Sequence, residues 1–416
     1  MEILYNVLIR LYGLLIHIAS PFNSKAKLWV DGRKNIFQKI KSELSSLPTS
    51  QPELFWFHCS SLGEFEQGRP LMESIKRQKP LTKIVLTFFS PSGYEIQKGH
   101  DGVDHVFYLP IDTPGNAEQF IELIKPKAAF FVKYDFWFNY LNVLKKKEVP
   151  TYLVSGVFRD DHYFLKWYGS WFTKQLNCFT SFYLQDKQSE QSLKSMGYSN
   201  VTVTGDTRFD RVFEISKNLK QNEIVKKFVA NKKVIIGGST WEEDEKIISV
   251  FSNNNKLQTT NYKLIIAPHE IDENHIKSII KKFDSFSIVR YSESSQKDIS
   301  SFDVLIIDNI GILSSIYQYA TIAYVGGGFG KGIHNILEPA TFGLPIIFGP
   351  NYNDFNEAKE LVQFGGAFSV RSVDELKKVI DLLSDLEVLK MASFSSKNYV
   401  SSRIGATERV LKSIFN

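Results

Sequence analysis

The sequence predicts an α/β fold of two Rossmann-like, doubly wound domains, and three observations predict it. Short apolar runs recur along the chain with helical stretches between them. The runs are continuous in Val, Ile and Phe instead of alternating, as parallel strands buried on both faces require. The chain has 416 residues, more than one ordinary core accommodates.

The apolar runs of the first half lie at 54–59, 84–89, 105–111, 128–134, 151–156, 181–186 and 201–206. Those of the second half lie at 233–239, 263–269, 286–292, 304–309, 322–328 and 345–350. Alternation of strand and helix implies right-handed crossovers and parallel sheets. The segment 211–232 is polar, helical in pattern and free of strand signal, so it reads as the hinge. The expected organisation is an N-terminal membrane-associated helix in 1–24, one domain over 25–212 and a second over 213–416.

A hydrophobic fraction of 43% with 23% charged residues describes a globular body and excludes a disordered chain. Cys59 and Cys178, the only cysteines, read as reduced, packed thiols. The net charge is +5, and its location matters more than its size. Lys25, Lys27, Arg33, Lys34, Lys39 and Lys41 stand against Asp31 alone in 25–41, and that stretch by itself sums to +5. A nucleic-acid binder would spread its cations along a groove. Here they follow an apolar segment, which points to an anionic membrane surface and to no nucleic acid.

That segment, 3–20, is apolar apart from Arg10 near its middle and His17. A central Arg costs about 2.5–3.5 kcal/mol in a spanning helix. A short span and a helix lying in the interface both fit. A buried first helix of the globular body is the alternative. If the segment spans, the cations after it hold the body in the cytoplasm.

Ligands of open parallel sheets bind outside the carboxyl ends of the strands, so the residues after each strand carry the chemistry. After the first strand, Ser60, Ser61 and Gly63 make a turn and Glu64 enters a helix. A carboxylate is favoured there by the helix dipole, and one facing a crevice can accept a proton from a hydroxyl. Spacing alone allows equally a helix-start acid without a role. After the fourth strand comes Asp135, expected to face the same crevice. After the seventh comes Arg208, suited to a developing phosphate charge or to an ordinary ion pair with a nearby Asp.

In the second half, Gly326, Gly327, Gly328, Gly330 and Gly332 crowd a strand exit, and a helix is expected from near Asn335. Together they suggest an anion site that needs no metal, with Glu338 placed to hold a ribose. The spacing matches neither a Walker loop nor a dinucleotide fingerprint. Thr240 and Glu243 read as a capping box. No D-x-D follows a strand and no His or Cys cluster has zinc spacing, so neither metal nor cofactor is expected. His269 and His334 stand out among the histidines because both sit at strand exits.

Taken in order, SSLGE at 60–64, DFWFN at 135–139, TGDTRFD at 204–210, GSTWEEDE at 238–245, APH at 267–269 and GGGFGKGIHNILEPATFGLPIIFGP at 326–350 form a recognisable set. The chain resembles the 3-deoxy-D-manno-octulosonic acid (Kdo) transferases of lipopolysaccharide synthesis over nearly its whole length. The resemblance implies a GT-B fold, two Rossmann-like domains facing a central cleft. It implies transfer of Kdo from CMP-Kdo to a phosphorylated lipid A precursor of the lipid IVA type, with inversion and without metal, at the cytoplasmic face of the inner membrane. Glu64 matches the family's base, and Asp135 and Arg208 match positions that stabilise the transition state. The CMP contacts map to Pro268, His269, Ile310, Gly311, Ile312, Asn335, Ile336, Leu337 and Glu338. Three positions depart from the family pattern: Asp135 stands where Glu is frequent, Arg208 where Lys is, and His269 where Arg is. The competing readings are another GT-B enzyme, such as a UDP-sugar transferase or a nucleotide-sugar epimerase, and a non-catalytic membrane-bound module.

Overall fold

The structure, a computed structural model, describes residues 1–45, 53–158, 170–254, 262–296 and 298–415. The chain divides into two compact units, Met1–Arg211 with Ile404–Asn416, and Val212–Arg403.

The first unit is built on β1 (Leu54–Cys59), β2 (Lys83–Phe88), β3 (His105–Tyr108), β4 (Ala128–Val132), β5 (Thr151–Gly156), β6 (Ser181–Leu184) and β7 (Val201–Val203). They form one sheet in the order β3-β2-β1-β4-β5-β6-β7, and every pairing is parallel. β1 is buried along its whole length. Trp56 packs on one face with Phe120, Phe131 and Tyr140. Phe57 packs on the other, stacked on Phe130 with ring centroids 4.3 Å apart. Two apolar faces explain why the strand is an unbroken apolar run.

The second unit holds β8 (Lys233–Thr240), β9 (Tyr262–Pro268), β10 (Ile288–Arg290), β11 (Val304–Ile306), β12 (Ile322–Val325), β13 (Ile346–Phe348) and β14 (Ala367–Ser369). Their order is β10-β11-β9-β8-β12-β13-β14, again all parallel. β14 was not expected, because three residues with one buried position carry no pattern. The other strands fall on the expected runs and mostly stop a residue or more earlier, where the chain turns into the loops that build the sites.

The sequence reading assigned 213–416 to one domain. The structure returns the last helix, Ala406–Phe415, to the first unit. Its apolar face carries Val410, Leu411 and Phe415 into the core of that unit, where Phe415 stacks on Phe55 at 5.8 Å. Asp210 accepts a 2.6 Å bond from the Thr407 N–H and so fixes the start of this helix.

The N-terminal helix, Glu2–Ala19, buries only Gly13, so it is not a core helix. One side lies against the first unit along its length. Tyr5 donates to Asp112 at 2.6 Å, and Asn6 accepts from Asn139 at 2.9 Å. Gly13 sits where a Cβ would come within 2.5 Å of Ile111. The other side exposes Ile3, Leu4, Val7, Leu8, Leu11, Leu14, Leu15 and Ile18.

Candidate active site

In each unit most of the expected residues lie around the topological switch point, where open parallel sheets bind ligands. In the first unit that point lies between β1 and β4, neighbours in space.

Glu64 is the third residue of helix Leu62–Gln78, and Ser61 caps that helix in a capping box. The Ser61 N–H donates to Glu64 Oε2 at 3.1 Å, and the Ser61 hydroxyl contacts the same oxygen. One turn further, Gly68 leaves room against β1 and β4; a Cβ there would lie 3.1 Å from Val132 and 3.3 Å from Cys59. That close approach holds the helix start over the strand exits. The second oxygen, Oε1, lies 3.7 Å from Lys133 Nζ. Lys133 has a left-handed backbone, φ 74°, which a non-glycine residue adopts at a cost. Sequence reasoning passed over Lys133; the spacing of KYDFWFN gives no sign that the chain reverses there.

Asp135 follows on the same loop. The Ser60 hydroxyl and backbone N–H lie close enough to its carboxylate to offset part of the cost of burying it. Oδ2 is shielded from solvent and has no hydrogen-bond partner. Burial, with Glu64 nearby, pushes the Asp135 pKa up to about 7. The nearest base does not relieve it. His58 Nε2 is 3.7 Å from Oδ2, but that nitrogen accepts from Trp137 Nε1 at 2.8 Å while Nδ1 meets Thr87 at 2.9 Å. Burial and the Arg33 charge depress the His58 pKa to about 3, so the imidazole is neutral and offers Asp135 no counter-charge.

Arg208 is held by Asp206, which takes its Nε at 2.8 Å and its backbone N–H at 2.9 Å. The ion pair weighed as an alternative is therefore present. Thr207 ties this helix start to the switch point: its hydroxyl donates to the Gln67 carbonyl at 2.5 Å and meets Ser155 Oγ at 3.0 Å. Gln67 lies one turn beyond Glu64. Glu64 and Asp135 are thus directly brought together, while Arg208 stands on the helix docked beside them.

In the second unit the switch point lies between β8 and β12, with β9 and β11 alongside. Pro268 and His269 leave β9, Ile310, Gly311 and Ile312 follow β11, and the glycine run leaves β12, so the expected nucleotide contacts share one sheet edge. The run needs its glycines. A Cβ on Gly326 would lie 2.3 Å from the Ser239 carbonyl, and one on Gly328 2.6 Å from Gly349 N. Buried Asp244 pins the loop: it accepts from Gly327 N at 2.8 Å, Trp241 N at 3.0 Å and Tyr324 OH at 3.0 Å. The capping acid of helix Glu242–Asn254 is therefore Asp244, not Glu243, because the helix starts one residue later than the spacing suggested. The helix expected from near Asn335 is a single turn, Leu337–Thr341. Asn335 Oδ1 accepts from Leu337 N at 3.0 Å, and its amide donates to Glu338 at 3.1 Å.

Three rings meet over this edge. Trp241 stacks on His269 at 4.6 Å, and His269 on His334 at 4.4 Å. Trp241 Nε1 donates to His334 Nε2 at 2.9 Å, and burial with His269 alongside lowers the His334 pKa to about 4. The platform is uncharged where it meets His334. Trp241 escaped the sequence reading; its only signal is a bulky ring directly after a strand. Among the described residues, Glu270, Asp272 and His275 place potential metal ligands within 4.8 Å of one another. Two of them already serve locally, Asp272 as a helix cap and His275 against Glu245 at 2.9 Å.

Two parallel sheets of seven strands, each with candidate residues around its switch point, define a GT-B protein. The fold is shared with the UDP-GlcNAc 2-epimerase of Neisseria meningitidis, with TM-score 0.62 and 15% identity over 88% of this chain and 99% of that one. Residues 34–211 match the family described as 3-deoxy-D-manno-octulosonic-acid transferase (kdotransferase). The 3-deoxy-D-manno-octulosonic acid transferase of Aquifex aeolicus is 30% identical over 81% of this chain and 88% of its own length. That of Rickettsia bellii is 28% identical over 86% and 84%. The chain belongs to the Kdo transferase family, and it is a Kdo-transferring glycosyltransferase of lipopolysaccharide biosynthesis.

Proposed function

We propose that this enzyme transfers Kdo from CMP-Kdo to a hydroxyl of a phosphorylated lipid A precursor of the lipid IVA type, with inversion and without a metal ion. Glu64 takes the proton of the acceptor hydroxyl as its oxygen bonds to the anomeric carbon and the bond to the CMP phosphate breaks. Lys133 keeps Glu64 Oε1 oriented. Asp135 and Arg208 steady the charge that develops, with Asp206 fixing the guanidinium. CMP is held by the second unit: the rings of His269 and Trp241, the backbone of Pro268 and of Ile310, Gly311 and Ile312, the glycine loop, and Asn335, Ile336, Leu337 and Glu338. The observation that carries the reading is the placement of Glu64 beside Asp135 at the switch point of a chain in this family.

The N-terminal helix supports a membrane acceptor. Because it lies along the protein for its whole length and turns an apolar face outward, we read it as lying in the interface, not spanning. Arg10 then costs little, since it reaches the headgroups. The enzyme would work at the cytoplasmic face of the inner membrane.

Mass spectrometry of a lipid A precursor incubated with CMP-Kdo and the protein tests donor, acceptor and number of additions together. The expected product is heavier by one or more Kdo residues. An unmodified acceptor, or equal transfer with a UDP-sugar, would overturn the reading.

A further inference from the structure

A cavity of about 540 Å³ opens in the first unit, between the end of the N-terminal helix and the carboxyl edge of the sheet. His17, Arg33, Lys34, Gln38, Asn116 and Gln119 are among its polar side chains together with Asn35, and among the described residues no carboxylate lines it.

Arg33 is the group that makes this unusual. Its guanidinium lies 3.9 Å from the centre of the Trp29 ring, with Phe89 at 5.0 Å and Tyr108 at 4.8 Å. Its nitrogens donate to the carbonyls of Leu109, Trp29 and Phe89 at 2.8–3.1 Å. Three carbonyls orient it but carry no net charge. Among the described residues no carboxylate pairs with it, and the titratable groups facing it are tyrosines and neutral His58. Burial pulls its pKa down to about 9. A partly buried cation without a counter-anion is costly to hold unless an anion is supplied from outside.

Further features turn the cavity toward an anion. Lys34, exposed and bonded to Asp31 at 2.7 Å, stands at its rim. The helix Ile36–Leu44 begins at its wall, and Asn35, held at φ 53°, leaves that helix start without a side-chain cap. The polar remainder is amide apart from His17. The ceiling is the last turn of the N-terminal helix, where His17 is fixed by a 2.8 Å contact to the Gly13 carbonyl. That helix turns its exposed apolar face away from the protein.

We propose that this cavity binds the phosphate of a membrane lipid, with Arg33 and Lys34 as its counter-charges and the N-terminal helix holding the acyl chains alongside. The inference rests on the reading of that helix as interfacial, not on the identity of the transferred sugar. The cavity adjoins the site: Phe89, which accepts from Arg33, packs on Trp137 at 4.4 Å, and Trp137 donates to His58 beside Asp135.

The probe is dihexanoyl phosphatidic acid, soluble as a monomer, titrated into the full chain by calorimetry, with inorganic phosphate as a parallel titrant. Arg33 is built into the fold, so the variants are Gln38→Glu and Gln119→Glu, isosteric exchanges of exposed amides. Lys25→Gln is the control for general surface charge, since it lies in the same basic stretch but does not line the cavity. Saturable one-to-one binding is expected in the parent. Each cavity variant weakens it by about tenfold or more, because a carboxylate is placed against the phosphate at a few ångströms. Lys25→Gln leaves it within about threefold, its charge being in water. Three results would each overturn the proposal: no saturable binding to the parent, unchanged binding in both cavity variants, or inorganic phosphate binding as tightly as the lipid. Because no sugar is transferred, a failure of the proposed reaction would leave this result intact.

Discussion

The two switch points are built from opposite materials. In the first unit the site is charge: Glu64 and Asp135 side by side, Lys133 on a left-handed backbone, Arg208 clamped by Asp206. Asp135 keeps an oxygen with no partner, and its pKa is pushed up to about 7. In the second unit the site is backbone and ring: glycines at contact distance from neighbouring carbonyls and amides, and Trp241, His269 and His334 in a stack. Its buried acid, Asp244, is spent on holding the loop, with three donors around it. The difference fits the proposed division of labour. A site with unsatisfied charge is suited to moving protons, and one of satisfied backbone and flat rings is suited to holding a nucleotide in place.

The largest effect that would sharpen the contrast is in the first unit. Glu64→Ala is expected to lower the transfer rate by about 10³–10⁴-fold, the upper range for a lost general base. Nucleotide affinity, read by calorimetry, should stay unchanged. The same variant loses a capping bond, so a stability loss of about 1 kcal/mol should accompany it.

Asp135→Asn comes next, with an expected loss of about 10²-fold in turnover. It also carries a signature in stability. The Asp135 pKa rises from an ordinary 3.8 to about 7 on folding. The folded state therefore holds the proton more tightly, and stability is lost as pH rises from about 4 to about 7. The Asn variant should lack that decline and melt a few degrees higher at neutral pH, at about 2–4 °C per kcal/mol for a unit of this size. A variant that is less stable than the parent at pH 8 would show that the carboxylate is structurally satisfied.

In the second unit the effects should fall on stability and affinity. Gly326→Ala forces a Cβ onto the Ser239 carbonyl, and a loss of about 1–3 kcal/mol is expected in denaturant unfolding. Trp241→Ala should be the mildest: about a tenfold rise in the donor KM, as for one lost ring–base stack, with kcat nearly unchanged. A large fall in kcat with an unchanged KM would break the division between the units.

Much of this was legible in the sequence, for physical reasons. Unbroken apolar runs such as FWFHC signal strands buried twice over, and the residue after each strand is where ligands bind. The places of Glu64, Asp135 and the glycine run at strand exits were readable that way. What escaped depends on which strands become neighbours. β1 and β4 adjoin in the sheet but not in the chain, so the Lys133–Glu64 contact and the place of neutral His58 behind Asp135 could not be read from spacing. Trp241 was hidden likewise, since its partners His269 and His334 come from two other strand exits. The final helix escaped because its apolar face looks the same whichever unit it covers.

The central claim is that Glu64 accepts the proton of the acceptor hydroxyl. Glu64→Gln isolates it, because the amide keeps the volume and can still accept the Ser61 capping bond. The decisive measurement is single-turnover transfer at saturating CMP-Kdo, with CMP affinity measured on the same preparation. Loss of transfer by about 10²-fold or more with unchanged CMP affinity is the predicted result. Transfer near the parent rate would contradict the assignment of Glu64 as the base.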